Sequence, residues 1–294
     1  MAYPCISGSL YEYRKNLSAF ESGYSSCKKK CILLGGLSDG LFPTPYTSKL
    51  QDVCKENGWS LVQPVLSSSY LGFGNGRLER DSEELSDLME FLVKNRNAET
   101  FCLVGHSTGC QISVHFLKHG RPEMIQRAKL VVLQAPVSDR EDVMEANEKQ
   151  WKENVQIAKD LVQDGKADEM MPRSVFFAPI TARRFLDLQD VGGADDFFSS
   201  DFSDQELSNR LSHVTASSDC HVLVAFSGKD EYVAKYITNR KEWTERLCRA
   251  MHDGISNDHV HALYLPNANH NLSQSPGDGD AFVNKVGELL KQVE

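Results

Sequence analysis

The chain has 294 residues, 40% hydrophobic and 25% charged, with a formal charge of −9 from 32 basic and 41 acidic side chains. This is the composition of a folded globular protein, and it excludes global disorder, a collagen-like repeat and a coiled-coil rod. The acidic balance argues against a general binder of nucleic acid or anionic membranes, which needs net positive surface, and says nothing about chemistry.

The opening MAYPCISGSLYEYRKN lacks a basic start followed by an apolar run of about 7–15 residues, so no export signal is expected. No apolar stretch approaches the ~20 residues that span a bilayer. The terminal LLKQVE is not a lipidation or retention signal. None of the 8 cysteines forms a C-x-x-C pair. Cys27 and Cys31 bracket three lysines and have no second ligand pair nearby, so neither a metal nor a cofactor is expected. The cysteines are read as reduced thiols of a cytoplasmic protein, which leaves the sequons at Asn16 and Asn271 without consequence.

Along the chain, residues 8–19 suit a hairpin turning at Arg14–Asn16. Cys31–Gly36 is a short apolar run ending on glycines, the pattern of a buried parallel strand. Thr47–Asn57 is helical and stops at Gly58. Ser60–Leu66 is a strand that Pro64 moves toward an edge or ends. Ser67–Gly76 is a loop, and Leu78–Lys94 an amphipathic helix. Phe101–His106 is a strand, Cys110–His119 a helix and Lys129–Pro136 a strand. This alternation predicts a parallel sheet with helices on both faces. The rhythm then breaks into a long charged helical stretch, Arg140–Gly165, and an irregular Phe-rich stretch, Met170–Asp204. It resumes with a strand at His221–Gly228, a helix at Tyr236–His252, a strand at His261–Pro266 and a helix at Asp280–Val293.

Gly105-His106-Ser107-Thr108-Gly109 matches G-x-S-x-G, directly after a strand and directly before a helix. A sharp strand-to-helix turn lifts the serine into the open, and the flanking glycines let backbones approach. The alternative is a glycine-flanked turn serine. A serine hydroxyl needs a base, and the base an orienting acid. In enzymes with this elbow the chain order is Ser, acid, His. Asp230 follows the His221–Gly228 strand in a glycine turn, with Glu231 as the alternative acid. His270 follows the next strand. The other histidines lie inside the motif, on helices, before any acid, at strand starts or at a helix end. His259 and His261 lack metal-ligand spacing and a third ligand. Acyl transfer also needs oxyanion donors. The Thr108 N–H is one, and the Leu37 N–H in Gly35-Gly36-Leu37 the other. A plain glycine-rich connection is the alternative there. The loop is neither a P-loop nor a dinucleotide fingerprint.

These features resemble the α/β-hydrolase serine esterases. More narrowly, the chain resembles a fungal and plant family that includes siderophore (fusarinine-type) esterases. The resemblance rests on Leu34–Leu41, the elbow Gly105–Gly109, Gln134–Arg140, Pro179–Phe185 and Asp195–Asp201, and runs from about Cys31 to the end. It implies an α/β-hydrolase fold, with a mainly parallel eight-stranded sheet, helices on both faces and a helical cap. It also implies triad roles for Ser107, Asp230 and His270. Gly35 departs from many esterases, which carry a histidine before the oxyanion glycine.

On this reading residues 1–137 and 219–294 form the core and residues 138–218 a cap or lid. Gly36, His106, Arg183, Arg184 and Phe185 are candidate substrate contacts. The arginines could equally be a surface pair, and most cap phenylalanines the cap's own core. The Asp-rich run from Asp187 to Asp204 reads as a solvated face. It disfavours strongly anionic substrates unless Arg183 or Arg184 faces the pocket. The expected activity is hydrolysis of a small-molecule carboxylic ester, with no nucleic-acid partner and no membrane span. Acyl transfer, a lyase or cyclase reaction on the same residues, and a receptor with a degenerate site are the rivals.

Overall fold

In a computed structural model, which describes residues 5–24, 26–216, 220–252 and 259–293, eight strands form one sheet. The first four residues of the expected unsignalled opening, the last residue of the terminal LLKQVE, and Ser218, the expected end of the insertion, lie outside the described residues. The elements run β1 Gly8–Arg14, β2 Leu17–Ser22, β3 Lys29–Leu34, α1 Thr47–Glu56, β4 Trp59–Pro64, α2 Leu78–Arg96 and β5 Thr100–His106. Next come α3 Thr108–His119, α4 Pro122–Ile125, β6 Ala128–Gln134, α5 Glu141–Ala146, α6 Glu148–Gln163 and α7 Ala182–Gln189. The chain continues through α8 Asp204–Leu211, α9 His213–Ala216, β7 His221–Ser227, α10 Arg240–Ala250, β8 Val260–Leu265 and α11 Pro276–Leu290. The sheet order is β1-β2-β4-β3-β5-β6-β7-β8. β2 is antiparallel to both neighbours, and every pair from β4 to β8 is parallel.

The continuous apolar runs are explained by burial on both sheet faces. In β3, Ile32 and Leu34 enter one core while Cys31 and Leu33 enter the other. The first core is closed by Leu85, Leu88 and Leu92 of α2, Ile112 and Phe116 of α3, and Trp243 and Leu247 of α10. The second is closed by Leu50 and Cys54 of α1 and Phe282, Val286 and Leu289 of α11. Parallel strands all point their carboxyl ends to one rim, where such folds build their sites.

Several boundaries differ from the sequence reading. Pro64 ends β4, which lies inside the sheet; it still pairs with Ala19 of β2, while pairing with β3 has ended at Val62, so its missing N–H costs no bond on that side. The 67–76 loop contains a 3-10 turn over Tyr70–Asn75. The 140–165 stretch is two helices, because Asn147 leaves helical geometry and its side chain accepts the Gln150 N–H. α10 starts only at Arg240, where Asn239 caps it by accepting the Glu242 N–H. α11 starts early, with Pro276 at its first positions.

The segment between β6 and β7 packs in two ways. Trp151, Val155 and Ala158 of α6 join Met171, Ile180, Phe185 and Leu188 in a small third core. Phe198, Phe202, Leu207, Leu211 and Val214 belong instead to the first core of the sheet. The Asp-rich run is not simply a solvated face. Buried Asp195 pairs with Arg184 at 2.6 Å, and buried Asp196 with Arg140 at 2.8 Å. A sequence pattern registers the run of carboxylates and not the distant guanidiniums that neutralise it.

Candidate active site

At the end of β5 the chain turns abruptly. Ser107 has φ 53° and ψ −124°, a region that costs a non-glycine residue about 1–3 kcal/mol and persists only when its surroundings enforce it. Here the Ser107 N–H donates to the Gln134 carbonyl at 3.0 Å, and the Ser107 carbonyl accepts from the Cys110 N–H at 2.8 Å. The flanking glycines are sterically required. A Cβ on Gly105 would lie 2.3 Å from the Gly109 carbonyl oxygen, and one on Gly109 would lie 2.3 Å from that of Leu34.

His270 and Asp230 come from the loops after β8 and β7. Those loops are stitched together: the Gly228 N–H donates to Leu265 O and the Lys229 N–H to Ala268 O, both at 2.8 Å. Arg240 clamps the acid turn, donating to the carbonyls of Gly228, Asp230 and Val233. His270 Nδ1 then lies 2.8 Å from Asp230 Oδ2, and Asp230 is buried. Glu231 Oε2 accepts the His270 backbone N–H at 2.9 Å. The two carboxylates thus divide the residue, Asp230 facing the ring and Glu231 the backbone. Tyr232 packs edge-on against the ring with centroids 4.7 Å apart.

Ser107 and His270 line one cavity of about 520 Å³, with Gly36, Leu37, Asp39, His106, Asp139, Asp142, Phe176, Phe177, Gln189, Glu231 and Tyr232 among its walls. Gly36 meets Ser107 closely, since a Cβ there would lie 2.8 Å from Ser107 Cβ. Its N–H is taken by Asp39 Oδ2 at 2.8 Å, and Leu37 follows it on the wall of the same cavity. Thr108 is the first residue of α3, and an N–H in the first helical turn has no partner within the helix. A hydroxyl and an imidazole oriented by a carboxylate therefore line one space, with Leu37 on the same cavity wall. Such a set can deliver a nucleophile.

His106 lines the same cavity, and burial pushes its imidazole down to about 3, so it stays neutral. Its Nδ1 is 2.6 Å from Gln134 Oε1. Gln134 also accepts from Tyr46 OH at 3.1 Å and donates from Nε2 to the His270 carbonyl at 2.9 Å. Gln134 and Tyr46 escaped the functional reading of the sequence. A polar residue closing the apolar run of β6 was the one local sign. Arg183, Arg184 and Phe185 are not among the cavity-lining residues. Arg184 is buried on Asp195, Arg183 lies 4.0 Å from Asp168, and Phe185 sits in the third core. Among the described residues, no group of three or more His, Cys, Asp or Glu side chains is arranged to hold a metal. No helix among them is long and apolar enough to cross a membrane.

Comparison with known proteins agrees with this architecture. A UPF0613 protein of Schizosaccharomyces pombe is 33% identical over 289 residues, covering 90% of each chain. The fusarinine C esterase sidJ of Aspergillus fumigatus is 28% identical over 328 residues, covering 91% of this chain and 90% of its own. The solved structure of the siderophore hydrolase EstB from Aspergillus fumigatus superposes with a TM-score of 0.82 at 27% identity, covering 98% of both chains. Solved α/β-hydrolase proteins share the sheet and its helical layers. With its family model matched over residues 1–291, the chain belongs to the family described as "Protein of unknown function (DUF1749)" and has the α/β-hydrolase fold.

Proposed function

We propose that the protein hydrolyses carboxylic esters of small molecules through an acyl-enzyme on Ser107. The observation that carries this reading is the 2.8 Å contact between His270 Nδ1 and Asp230 Oδ2 beside a strained serine in the same cavity. Kinship with a fusarinine C esterase and a siderophore hydrolase supports ester chemistry. In this mechanism His270 Nε2 takes the Ser107 proton as Oγ attacks the ester carbonyl carbon. The tetrahedral oxyanion is held by the Leu37 and Thr108 N–H groups. His270 returns the proton to the leaving alcohol, and a water molecule then repeats the sequence to release the acid. Asp230 fixes the ring tautomer and stabilises the imidazolium.

Residues 138–218 act as the cap. Their site-facing part is Ser138, Asp139, Asp142, Val143, Phe176, Phe177 and Gln189, while the α8–α9 part packs into the core of the sheet. Cys5, Cys27, Cys31, Cys54, Cys102, Cys110 and Cys248 are free thiols, which supports a reducing, cytoplasmic setting.

The test is hydrolysis of short p-nitrophenyl esters by wild type and Ser107→Ala, with fluorophosphonate labelling located by mass spectrometry. The expected result is a loss approaching about a millionfold in kcat and no label on the variant. Undiminished hydrolysis by Ser107→Ala overturns the mechanism. Release of free acid, rather than transfer to an added alcohol, separates hydrolysis from acyl transfer.

A further inference from the structure

His106 precedes Ser107 in the elbow, lines its cavity and has no role in the proposed steps of acyl transfer. Its ring is fixed by its neighbours. The His270 backbone carbonyl can only accept, so the amide nitrogen of Gln134 must face it, and Nε2 does so at 2.9 Å. Gln134 Oε1 therefore points the other way, where it accepts from Tyr46 OH and from His106 Nδ1, the latter at 2.6 Å. Nδ1 then carries the ring proton. Burial keeps the imidazole neutral, so Nε2 carries none and is an acceptor.

The residue is only 4% exposed, and among the described residues Nε2 has no hydrogen-bond partner, the one bond of the ring being that of Nδ1. Yet Nε2 is not sealed from solvent in the way that the unpartnered His213 Nδ1 and His252 Nδ1 are. The space on which it opens is the cavity that His106 lines. Polar atoms of nearly buried side chains are almost always paired, so an open, unpaired acceptor beside the nucleophile calls for a donor. A hydroxyl or an N–H supplies one, and an ether or a carboxylate supplies none. Position decides which part of an ester carries that donor. The rings of His106 and His270 have centroids 5.0 Å apart. The alcohol part of an ester leaves beside the imidazole that protonates it, so it is the alcohol part that comes within reach of His106.

We infer that His106 Nε2 is a specificity-determining acceptor for a neutral hydroxyl or N–H group on the alcohol part of the ester, close to the scissile oxygen. This rests on the ester-hydrolase reading. The substrates are then esters of alcohols that carry a second donor, such as diols. A site that pairs such a donor discriminates against the analogue that lacks it, because its own acceptor is left without a partner.

The experiment uses monoesters of one acyl group with linear diols of increasing length, their methyl-terminated isosteres and their methyl ethers. With a common acyl group every ester gives the same acyl-enzyme, so kcat/KM reports the step in which the alcohol is still present. Acid release is followed by pH-stat. At the fitting length the hydroxyl ester is expected to exceed its isostere about tenfold in kcat/KM, and the ether is expected to gain nothing. In His106→Phe, which keeps an aromatic ring beside His270, the hydroxyl-to-methyl ratio falls toward one. A ratio near one in wild type at every length, or a ratio unchanged in His106→Phe, overturns the acceptor role. Should His106→Phe fail to fold, NMR of nitrogen-labelled Ser107→Ala decides. The His106 Nε2 resonance is expected in the unprotonated range, and to move when the hydroxyl ester binds but not when the ether does. A protonated Nε2, or one that the bound hydroxyl ester leaves in place, overturns the role equally. If wild type turns over none of the esters while Ser107→Ala still binds the hydroxyl ester more tightly than its isostere and Nε2 moves, the hydrolase reading fails and the acceptor stands.

Discussion

His270 meets Asp230 through Nδ1 and Glu231 through its backbone N–H, at 2.8 and 2.9 Å. Two adjacent carboxylates thus do different work on one residue, and the ring between them also packs against His106 and Tyr232. Four predictions follow from this and from the packing around it.

Asp230→Asn is expected to lower kcat by about 10⁴, because an amide facing Nδ1 lets the imidazole adopt the wrong tautomer. Glu231→Gln keeps an acceptor for the backbone N–H, so its loss is expected to be smaller by about two orders of magnitude. Steady-state kinetics on one p-nitrophenyl ester ranks the pair. A larger loss in Glu231→Gln exchanges the two assignments.

Gly36→Ala places a methyl group 2.8 Å from Ser107 Cβ and 3.2 Å from its Oγ. The loop must shift, and the Leu37 N–H moves with it. The loss of one oxyanion donor costs about 10²–10³ in kcat, and a fall at the low end of that range is expected with the melting temperature nearly kept. Full activity in a folded variant removes this loop from the oxyanion hole.

Arg184→Ala strands buried Asp195, whose two oxygens lie 2.6 and 3.0 Å from the guanidinium. Breaking a buried pair from one side costs about 3–5 kcal/mol, readable as a lower urea midpoint. Replacing both partners with apolar side chains is expected to recover part of that loss. A raised KM with unchanged stability indicates substrate contact instead.

Asp81 lines a small polar space behind the Gly35–Gly36 loop, and burial raises its carboxyl from 3.8 to about 7. Between those values the folded protein keeps a proton that the unfolded chain has released. The contribution of Asp81 to stability is therefore greatest below about pH 4 and is lost as the pH rises to about 7. Asp81→Asn has no such dependence. Its stability relative to wild type should improve with pH across that window, by at most about 1.4 kcal/mol per pH unit. Urea unfolding of both proteins across the window checks this, and parallel profiles refute it.

Legibility in the sequence followed the range of the interactions. The strand before the elbow, the helix after it and the glycine spacing around Ser107 are local patterns with local causes. They were readable because a buried strand is apolar along its length and a sharp turn demands small residues. The break at Asn147 was equally local, and was missed because a charged helical run masks a capping residue within it. Arg184 and the Asp-rich run were misleading for a different reason. Their partners lie in other elements, and charge counted along a chain does not register pairing in space.

The sequence by itself determined the alternating α/β class, the sharp turn that carries Ser107, and the two loops able to bring an acid and an imidazole toward it. Only the tertiary structure decided which carboxylate faces the ring. It also joined Gln134 to the His270 carbonyl across 136 positions of chain. Local patterning follows from backbone sterics and apolar burial, which neighbours in sequence set. The orientation of a polar side chain follows from which donors and acceptors the folded sheet brings within about 3 Å, and those come from anywhere in the chain.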